Sequence, residues 1–201
     1  LQENRSDVVL RPTPPGQLSG RILLAGRAKP SEILLEVEDR THRESYLLRA
    51  RAPEYRFTRA DMWPGNYSFQ VRSPQGAYLI GTGGAVVPEG GTAEVELRIG
   101  LEAGRISGLV KAPAGAALAH GRVALARVGS EPLVLRTEQT DQRGRFEIRD
   151  LRPGEYQICA WPVQNVAALE DPRTWTQAGP AVKRFSVEPG AQIEIELTAA
   201  P

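Results

Sequence analysis

The sequence predicts an all-β chain that folds as two tandem seven-stranded β-sandwiches. Three observations support this prediction. Apolar and polar residues alternate in short segments separated by Gly and Pro, and no segment keeps a helical period over three turns. The second half of the chain repeats the motif order of the first half. The length of 201 residues suits two small domains, because domains commonly have about 100–150 residues.

Seven alternating segments predict the strands of the first sandwich. In the last of them, Ala93, Val95 and Leu97 share one face while Glu94 and Glu96 share the other, which is typical of a strand with one solvated face. In chain order the segments are GQLSGRILLAG (16–26), SEILLEVEDR (31–40), RESYLLRARA (43–52), YRFTRA (55–60), GNYSFQVRS (65–73), GAYLIG (76–81) and TAEVELRIG (92–100).

An internal repeat predicts the second sandwich. GQLSGRI at 16–22 matches GRISGLV at 104–110 at an offset of 88 residues, whereas AEVEL at 93–97 matches IEIEL at 193–197 at an offset of 100. Since the offset increases along the chain, the second repeat carries an insertion, which we place at about 162–180.

The repeat also predicts the domain organisation. We expect one sandwich over 16–102 and a second over 103–201, with the insertion in the second. Residues 1–15 are polar and end in a proline cluster, which favours a linker or the end of an upstream unit. The chain opens with Leu1 rather than Met, so we expect a fragment or mature form of a longer multi-repeat chain.

A Pro-Gly-x-Tyr signature occurs once in each repeat and predicts a tyrosine corner. Pro fixes φ, and Gly allows the conformation that follows. Tyr then enters the strand with its ring in the core and its hydroxyl within reach of a backbone group. We therefore expect these residues to be structural. They are Pro64, Gly65 and Tyr67 in repeat 1, and Pro153, Gly154 and Tyr156 in repeat 2.

The segment TDQRGRF at 140–146 predicts a tight turn in repeat 2. The Asp141 carboxylate can cap the turn, Gly144 can take a positive φ, and Phe146 begins the next alternating strand. Repeat 1 has APEYRF in the corresponding place, so its hairpin must turn differently.

The order TDQRGRF, DLRPGEY, ICAW and VEPGAQIEIEL resembles that of carboxypeptidase regulatory-like domains. The resemblance covers 104–200 well and 16–100 more weakly. It implies a transthyretin-like sandwich with Ig-like, Greek-key topology, related to a carbohydrate-binding-like fold. It also implies an accessory, scaffolding or binding role in tandem repeats of bacterial secreted, periplasmic or envelope proteins, and it does not imply carboxypeptidase activity.

Composition argues against several classes of partner. There are 25 basic and 24 acidic residues, and the basic ones form no stripe, so we expect no nucleic-acid binding. No run of about 18 apolar residues occurs, so we expect no membrane span in this chain. The single cysteine, Cys159, excludes an intrachain disulfide.

We predict no catalytic residues, no metal site and no cofactor. His42 and His120 lie in different repeats, and no H-E-x-x-H pattern is present. His42 lies in a polar turn, where we expect it to be solvated. Cys159 should lie on the strand face opposite Tyr156, a face that a neighbouring domain can half-cover, and nothing around it in the sequence indicates a lowered pKa.

The candidate binding residues lie in the insertion or next to it. Exposed aromatic rings can stack on sugars, and polar neighbours can supply hydrogen bonds. Trp175 can instead anchor the long loop to the sandwich, an alternative that stays open here. The candidate carbohydrate-binding residues are Trp161, Asp171, Arg173, Trp175 and Gln177.

These observations favour a non-catalytic module that acts as a spacer and presents loops in a secreted, periplasmic or cell-envelope protein. Its partner would be another envelope protein, contacted through the insertion, or a carbohydrate. Trp63, just before a Pro-Gly turn, is expected to cover the end of the first core.

Overall fold

The computed structural model confirms the all-β class. The chain divides into two compact units, Leu1–Leu101 and Glu102–Pro201, here called unit 1 and unit 2. Most of the predicted linker at 1–15 and the first half of the insertion lie outside the described residues. The structure describes residues 12–129, 135–162 and 171–200.

Unit 1 contains eight strands among its described residues, where the sequence predicts seven. The additional strand is the short segment GAVV, which lies between two strands that the alternation identifies. The strands are β1 (Gly16–Ala25), β2 (Glu32–Asp39), β3 (Ser45–Arg51), β4 (Arg56–Met62), β5 (Gly65–Ser73), β6 (Tyr78–Leu79), β7 (Gly84–Val87) and β8 (Thr92–Gly100).

These strands form one hydrogen-bonded sheet in the order β6-β8-β1-β4-β3-β2-β5-β7, in which only β1 and β8 are parallel. The hairpin strands β3 and β4 are joined by a single ladder pair, Arg51 with Arg56. The sheet folds there into two layers, because residues from both halves pack into one core. The largest fully buried side chains of this core are Leu18, Ile33, Leu35, Val37, Met62 and Ile99.

The β3–β4 hairpin of unit 1 turns through APEY. The Ala52–Pro53 peptide bond is cis, and Tyr55 has a φ of 48°. The Tyr55 hydroxyl donates a hydrogen bond of 2.6 Å to the carbonyl of Pro30, which ties the turn to the β1–β2 connection.

Unit 2 contains seven strands among its described residues. They form two sheets, β11-β10-β13-β14 and β12-β9-β15, and β9 and β15 are parallel. The strands are β9 (Gly104–Lys111), β10 (Arg122–Arg127), β11 (Arg136–Gln139), β12 (Arg145–Leu151), β13 (Gly154–Trp161), β14 (Lys183–Val187) and β15 (Gln192–Thr198).

The insertion contains a helix that the sequence analysis does not predict. Helix α1 spans Pro172–Ala178, and a turn of 3₁₀ helix follows over Gly179–Ala181. Seven residues are too few for a helical period to be recognised in the sequence.

Strands β10 and β13 are buried on both faces. Their inner residues, such as Leu125 and Ile158, belong to the main core of unit 2. Their outer apolar residues, which are small except for Trp161 at the end of β13, form a second apolar cluster with the insertion. We call this the outer cluster; its buried members are Ala124, Ala126, Cys159, Trp161, Trp175, Ala178 and Ala200.

Candidate functional site

Trp161, at the end of β13, and Trp175, in α1, are both buried, so they do not form the exposed aromatic platform that sugar binding would require. Trp161 is 3% exposed and Trp175 is 6% exposed. Their ring centroids lie 5.3 Å apart in an edge-to-face arrangement. Trp175 of α1 packs in one cluster with Trp161 and with the small outward residues of β10 and β13, which are alanines and Cys159. The alternative that Trp175 anchors the insertion agrees with this position.

The polar candidates lie on α1 or at its start. The Asp171 carboxylate accepts a hydrogen bond of 2.9 Å from the amide of Arg173, which caps the helix N-terminus. Arg173 and Gln177 are exposed and lie four residues apart, hence on one face of the helix. The structure thus separates the buried aromatic rings from the solvent-facing polar side chains, which do not form one binding surface.

Both corner tyrosines are hydrogen-bonded to the backbone four residues upstream. The Tyr67 hydroxyl donates to the carbonyl of Trp63, and the Tyr156 hydroxyl donates to the carbonyl of Arg152, each over 2.7 Å. The Tyr156 ring also stacks on Phe185, with centroids 5.9 Å apart. Burial raises the pKa of Tyr156, so this phenol stays protonated and keeps donating its hydrogen bond to the Arg152 carbonyl.

The two Pro-Gly corners differ in what they require of glycine. Gly154 has a φ of 148°, whereas Gly65 does not have a positive φ. A Cβ at Gly154 would also meet the Arg127 guanidinium at 2.7 Å, while a Cβ at Gly65 would have only ordinary contacts, the nearest at 3.6 Å.

We therefore expect Gly154→Ala to destabilise unit 2 by about 1–2 kcal/mol, because alanine is strained at this φ. Gly65→Ala is the matched control and should change the stability of unit 1 by less than about 0.5 kcal/mol. Urea unfolding followed by amide NMR signals of each unit measures both values. Equal losses at the two positions would contradict this difference.

Asp141 organises the turn between β11 and β12. Its carboxylate accepts hydrogen bonds of 2.8 Å from the amides of Arg143 and Arg145, and Gly144 has a φ of 76°. These backbone hydrogen bonds, that from Arg145 first, hold the pKa of Asp141 below its usual value. Phe146 follows in β12 and is buried in the core of unit 2.

A buried carboxylate that the sequence analysis missed lies at the end of β2. Asp39 is fully buried and accepts hydrogen bonds from the amides of Thr41 at 2.7 Å and His42 at 3.1 Å. Its other oxygen lies 2.7 Å from Nδ1 of His42 and accepts a 3.3 Å hydrogen bond from the Tyr67 hydroxyl. We call these four residues with Trp63 the Asp39 cluster.

His42 and Trp63 occupy different environments from those predicted. The His42 side chain is 43% exposed but held by Asp39, so it is not simply solvated. Trp63 is 49% exposed and does not cover the core. Its ring packs against His42, with centroids 5.6 Å apart. The alternation contained a signal for this cluster, because Asp39 falls on the same strand face as Ile33, Leu35 and Val37.

The electrostatics of the Asp39 cluster favour an ionised carboxylate. Burial by itself raises the pKa of Asp39, but the hydrogen bonds from the His42 side chain and from the amides of Thr41 and His42 outweigh it. The pKa of Asp39 therefore lies below its usual value. Burial and the nearby Asp39 charge raise the pKa of Tyr67. The cluster thus holds a carboxylate, a protonated phenol and an oriented imidazole at one corner of unit 1.

We expect the Asp39 cluster to make unit 1 acid-sensitive. Because folding lowers the pKa of Asp39, its contribution is present above the unfolded-state pKa of about 4 and is lost as the pH falls through the folded-state pKa. Asp39→Asn should reduce the stability of unit 1 at pH 7 by about 1–3 kcal/mol and flatten its dependence on pH below about 4.

Urea unfolding at several pH values, followed by amide NMR signals of unit 1, measures this effect. Asp141→Asn is the control, since that carboxylate lies in an exposed turn of unit 2. A pH profile of unit 1 that Asp39→Asn leaves unchanged would contradict the assignment.

The described residues contain no group of three or more His, Cys, Asp or Glu side chains that could hold a metal ion. Cys159 lies on the strand face opposite Tyr156 and is fully buried in the outer cluster, together with Trp175 and Ala178 of α1. Burial raises the pKa of the Cys159 thiol to about 11. No helix in the described ranges is both long and apolar enough to cross a bilayer.

Comparison with known proteins gives likenesses at the level of solved structures. A scan against protein-family models and a search of curated proteins both find no match. The TIE protein of Bacillus anthracis is similar with a TM-score of 0.39 and 15% identity, over 92% of this chain and 34% of that one. A streptococcal ancillary pilin has a TM-score of 0.40 and 9% identity, over 93% of this chain and 63% of the pilin.

The minor pilin of Streptococcus agalactiae has a TM-score of 0.39 and 12% identity, over 92% of this chain and 97% of the pilin. The chain thus spans about a third of the first of these proteins and less than two thirds of the second. With TM-scores of 0.39 to 0.40, these likenesses carry no inference about function.

Proposed function

We propose that the chain is a non-catalytic structural module of a longer bacterial secreted, periplasmic or cell-envelope protein, in which two sandwich repeats act as spacers that present loops. One observation carries the proposal. Polar side chains that the sequence singles out, whether as structural residues or as binding candidates, hold the backbone in place. Tyr67 and Tyr156 bond to upstream carbonyls, Asp141 caps a turn, and Asp171 caps a helix.

The insertion supports the same proposal. Trp175 packs α1 onto β10 and β13, next to Trp161 of β13, which gives unit 2 a second apolar cluster. The side of α1 that remains exposed carries Arg173 and Gln177. We assign contact with a partner protein in the envelope to this face.

The order of motifs in the second repeat supports the assignment to the accessory modules that resemble carboxypeptidase regulatory-like domains. In that assignment the repeats are the segments 16–102 and 103–201. A sugar-binding role through Trp161 and Trp175 is not part of the proposal, because both rings are buried.

Hydrolysis assays on the full chain test the non-catalytic part of the proposal. The Asp39–His42 pair holds an imidazole in a fixed orientation, so His42 is the position at which turnover by the chain itself is tested. We expect no turnover of peptide or glycan substrates. Turnover that His42→Ala abolishes, and that His120→Asn in unit 2 leaves intact, would overturn the proposal.

Crosslinking in envelope extracts tests the contact surface. We expect a protein partner whose crosslinking is lost in the double variant Arg173→Ala, Gln177→Ala, with the melting temperature unchanged. Arg56→Ala is the matched control, an exposed change in unit 1. Crosslinking that both variants leave unchanged would remove α1 from the proposal.

A further inference from the structure

Among the described residues, the first and last strands of each unit are parallel neighbours. In unit 1, β1 and β8 pair continuously from Gln17 with Thr92 to Ala25 with Gly100. In unit 2, β9 and β15 pair continuously from Arg105 with Gln192 onwards. In both units the first and last strands therefore form one parallel pair, although the order of the other strands in the sheets differs between the units.

This arrangement determines how tension along the chain acts on each unit. The chain enters at the start of the first strand and leaves at the end of the last strand. Because the two strands are parallel, these points lie at opposite ends of the pair. A pull on the chain therefore slides the strands past each other. The evenly spaced hydrogen bonds of a parallel pair are then loaded together rather than one after another.

Contacts on both faces of the pair oppose such sliding in unit 1. On the core face, Leu18 and Leu97 are buried in the unit 1 core. On the solvent face, the Nε of Arg21 donates a hydrogen bond of 2.8 Å to the Glu96 carboxylate. Exposed pairs of this kind contribute little alone, so the backbone and the core supply most of the resistance.

Unit 2 has corresponding contacts. A guanidinium nitrogen of Arg105 donates to the Gln192 side chain at 2.7 Å, and Lys111 lies 2.8 Å from the Glu196 carboxylate. The ammonium group of Lys183, which comes from the other sheet, donates to the Glu196 carbonyl at 2.8 Å. The last strand is thereby held to its parallel neighbour and also to the facing sheet.

We propose that the parallel terminal pair of each unit is a mechanical clamp, so that the chain bears tension along a longer secreted or envelope protein. This inference rests on the proposed spacer function and specifies what the spacer resists. The property belongs to each unit separately and needs no ligand.

Single-molecule pulling on the full chain tests the clamp by changing only the point of attachment. One double variant carries Gln17→Cys with Arg98→Cys, which loads β1 and β8 along their length. The other carries Gln17→Cys with Thr92→Cys, which loads the pair from one end and opens it stepwise. All three positions are exposed or partly exposed, and the native Cys159 is buried, so handles attach at the intended thiols.

We expect the unfolding force of unit 1 at one loading rate to be about two- to fourfold higher for the lengthwise attachment. Unit 2 provides an independent comparison, in which Arg105→Cys is combined with Thr198→Cys or with Gln192→Cys. Melting temperatures equal to that of the unlabelled chain show that the substitutions leave the fold intact. Equal unfolding forces for the two attachments, in both units, would overturn the clamp.

The outcomes separate the clamp from the spacer proposal. Equal forces in a chain that shows no turnover would remove the clamp and leave the spacer function standing. Turnover that depends on His42 would remove the spacer function, whatever forces are measured.

Discussion

Trp175→Ala is expected to lower the free energy of unfolding of unit 2 by about 3–5 kcal/mol, the range for deleting a buried indole. Trp175 is 6% exposed and packs edge-to-face on Trp161, within the outer cluster. Its removal leaves a cavity between α1 and the sheet, which the small residues beneath cannot fill. Urea unfolding followed by amide NMR signals of unit 2 measures the loss.

Trp63→Ala is the matched control, because this indole is half-exposed in unit 1. We expect it to lower stability by about 1 kcal/mol or less. The anchoring role of Trp175 would be wrong if the two variants lost similar amounts of stability. It would also be wrong if the stability loss appeared in unit 1.

Gly108→Ala is expected to destabilise unit 2 by about 3 kcal/mol or more, at the upper end for overpacking a core. A Cβ at Gly108 would overlap the carbonyl oxygen of Ile195 and would lie 3.0 Å from the Phe146 ring. The Ile195 carbonyl belongs to β15, so it cannot retreat without disturbing the parallel pair with β9. The backbone clash therefore affects the clamp directly.

Unit 1 provides both a replicate and a control for this prediction. A Cβ at Gly20 would lie 2.5 Å from the Val95 carbonyl oxygen and 2.6 Å from the Phe57 ring, so Gly20→Ala should destabilise unit 1 comparably. Gly84 is exposed and a Cβ there would have only a 3.4 Å contact. Gly84→Ala should leave stability within about 0.5 kcal/mol. Urea midpoints that Gly20→Ala and Gly108→Ala leave unshifted would contradict the argument.

Much of the fold could be predicted because its signals are local. Two-residue alternation identifies strands such as TAEVELRIG, and the turn residues between them separate the elements. The repeat also places equivalent glycines, Gly20 and Gly108, in the two parallel pairs. The strand β7 was missed because four residues of GAVV show too little alternation to be distinguished from a loop.

The packing of helix α1 against β10 and β13 could not be predicted from the seven residues of the helix. The decisive signal lies in the strands beneath, where β10 reads RVALAR and β13 ends in ICAW. Such nearly continuous apolar runs indicate strands covered on both faces. Since such a run does not show which segment covers the strand, the alternation of polar and apolar residues cannot identify α1 as the covering element.

The Asp39 cluster was missed for a different reason. Polar turn residues such as His42 are usually solvated, and the many charged residues of EVEDRTHRE favour an exposed turn over a buried carboxylate. The buried position follows only from the register of β2, in which Asp39 continues the row of core residues. The corner tyrosine of β5, distant in the chain, then completes its hydrogen bonds.

The burial of Cys159 beneath α1 gives unit 2 an internal reporter of local opening. This thiol can meet a disulfide reagent only when the helix moves away from the sheet, and its raised pKa keeps it protonated until then. The rate of its modification in native buffer therefore measures how often the insertion detaches while both sheets remain folded. A change that loosens the helix should accelerate this reaction before it alters the melting of the sandwich.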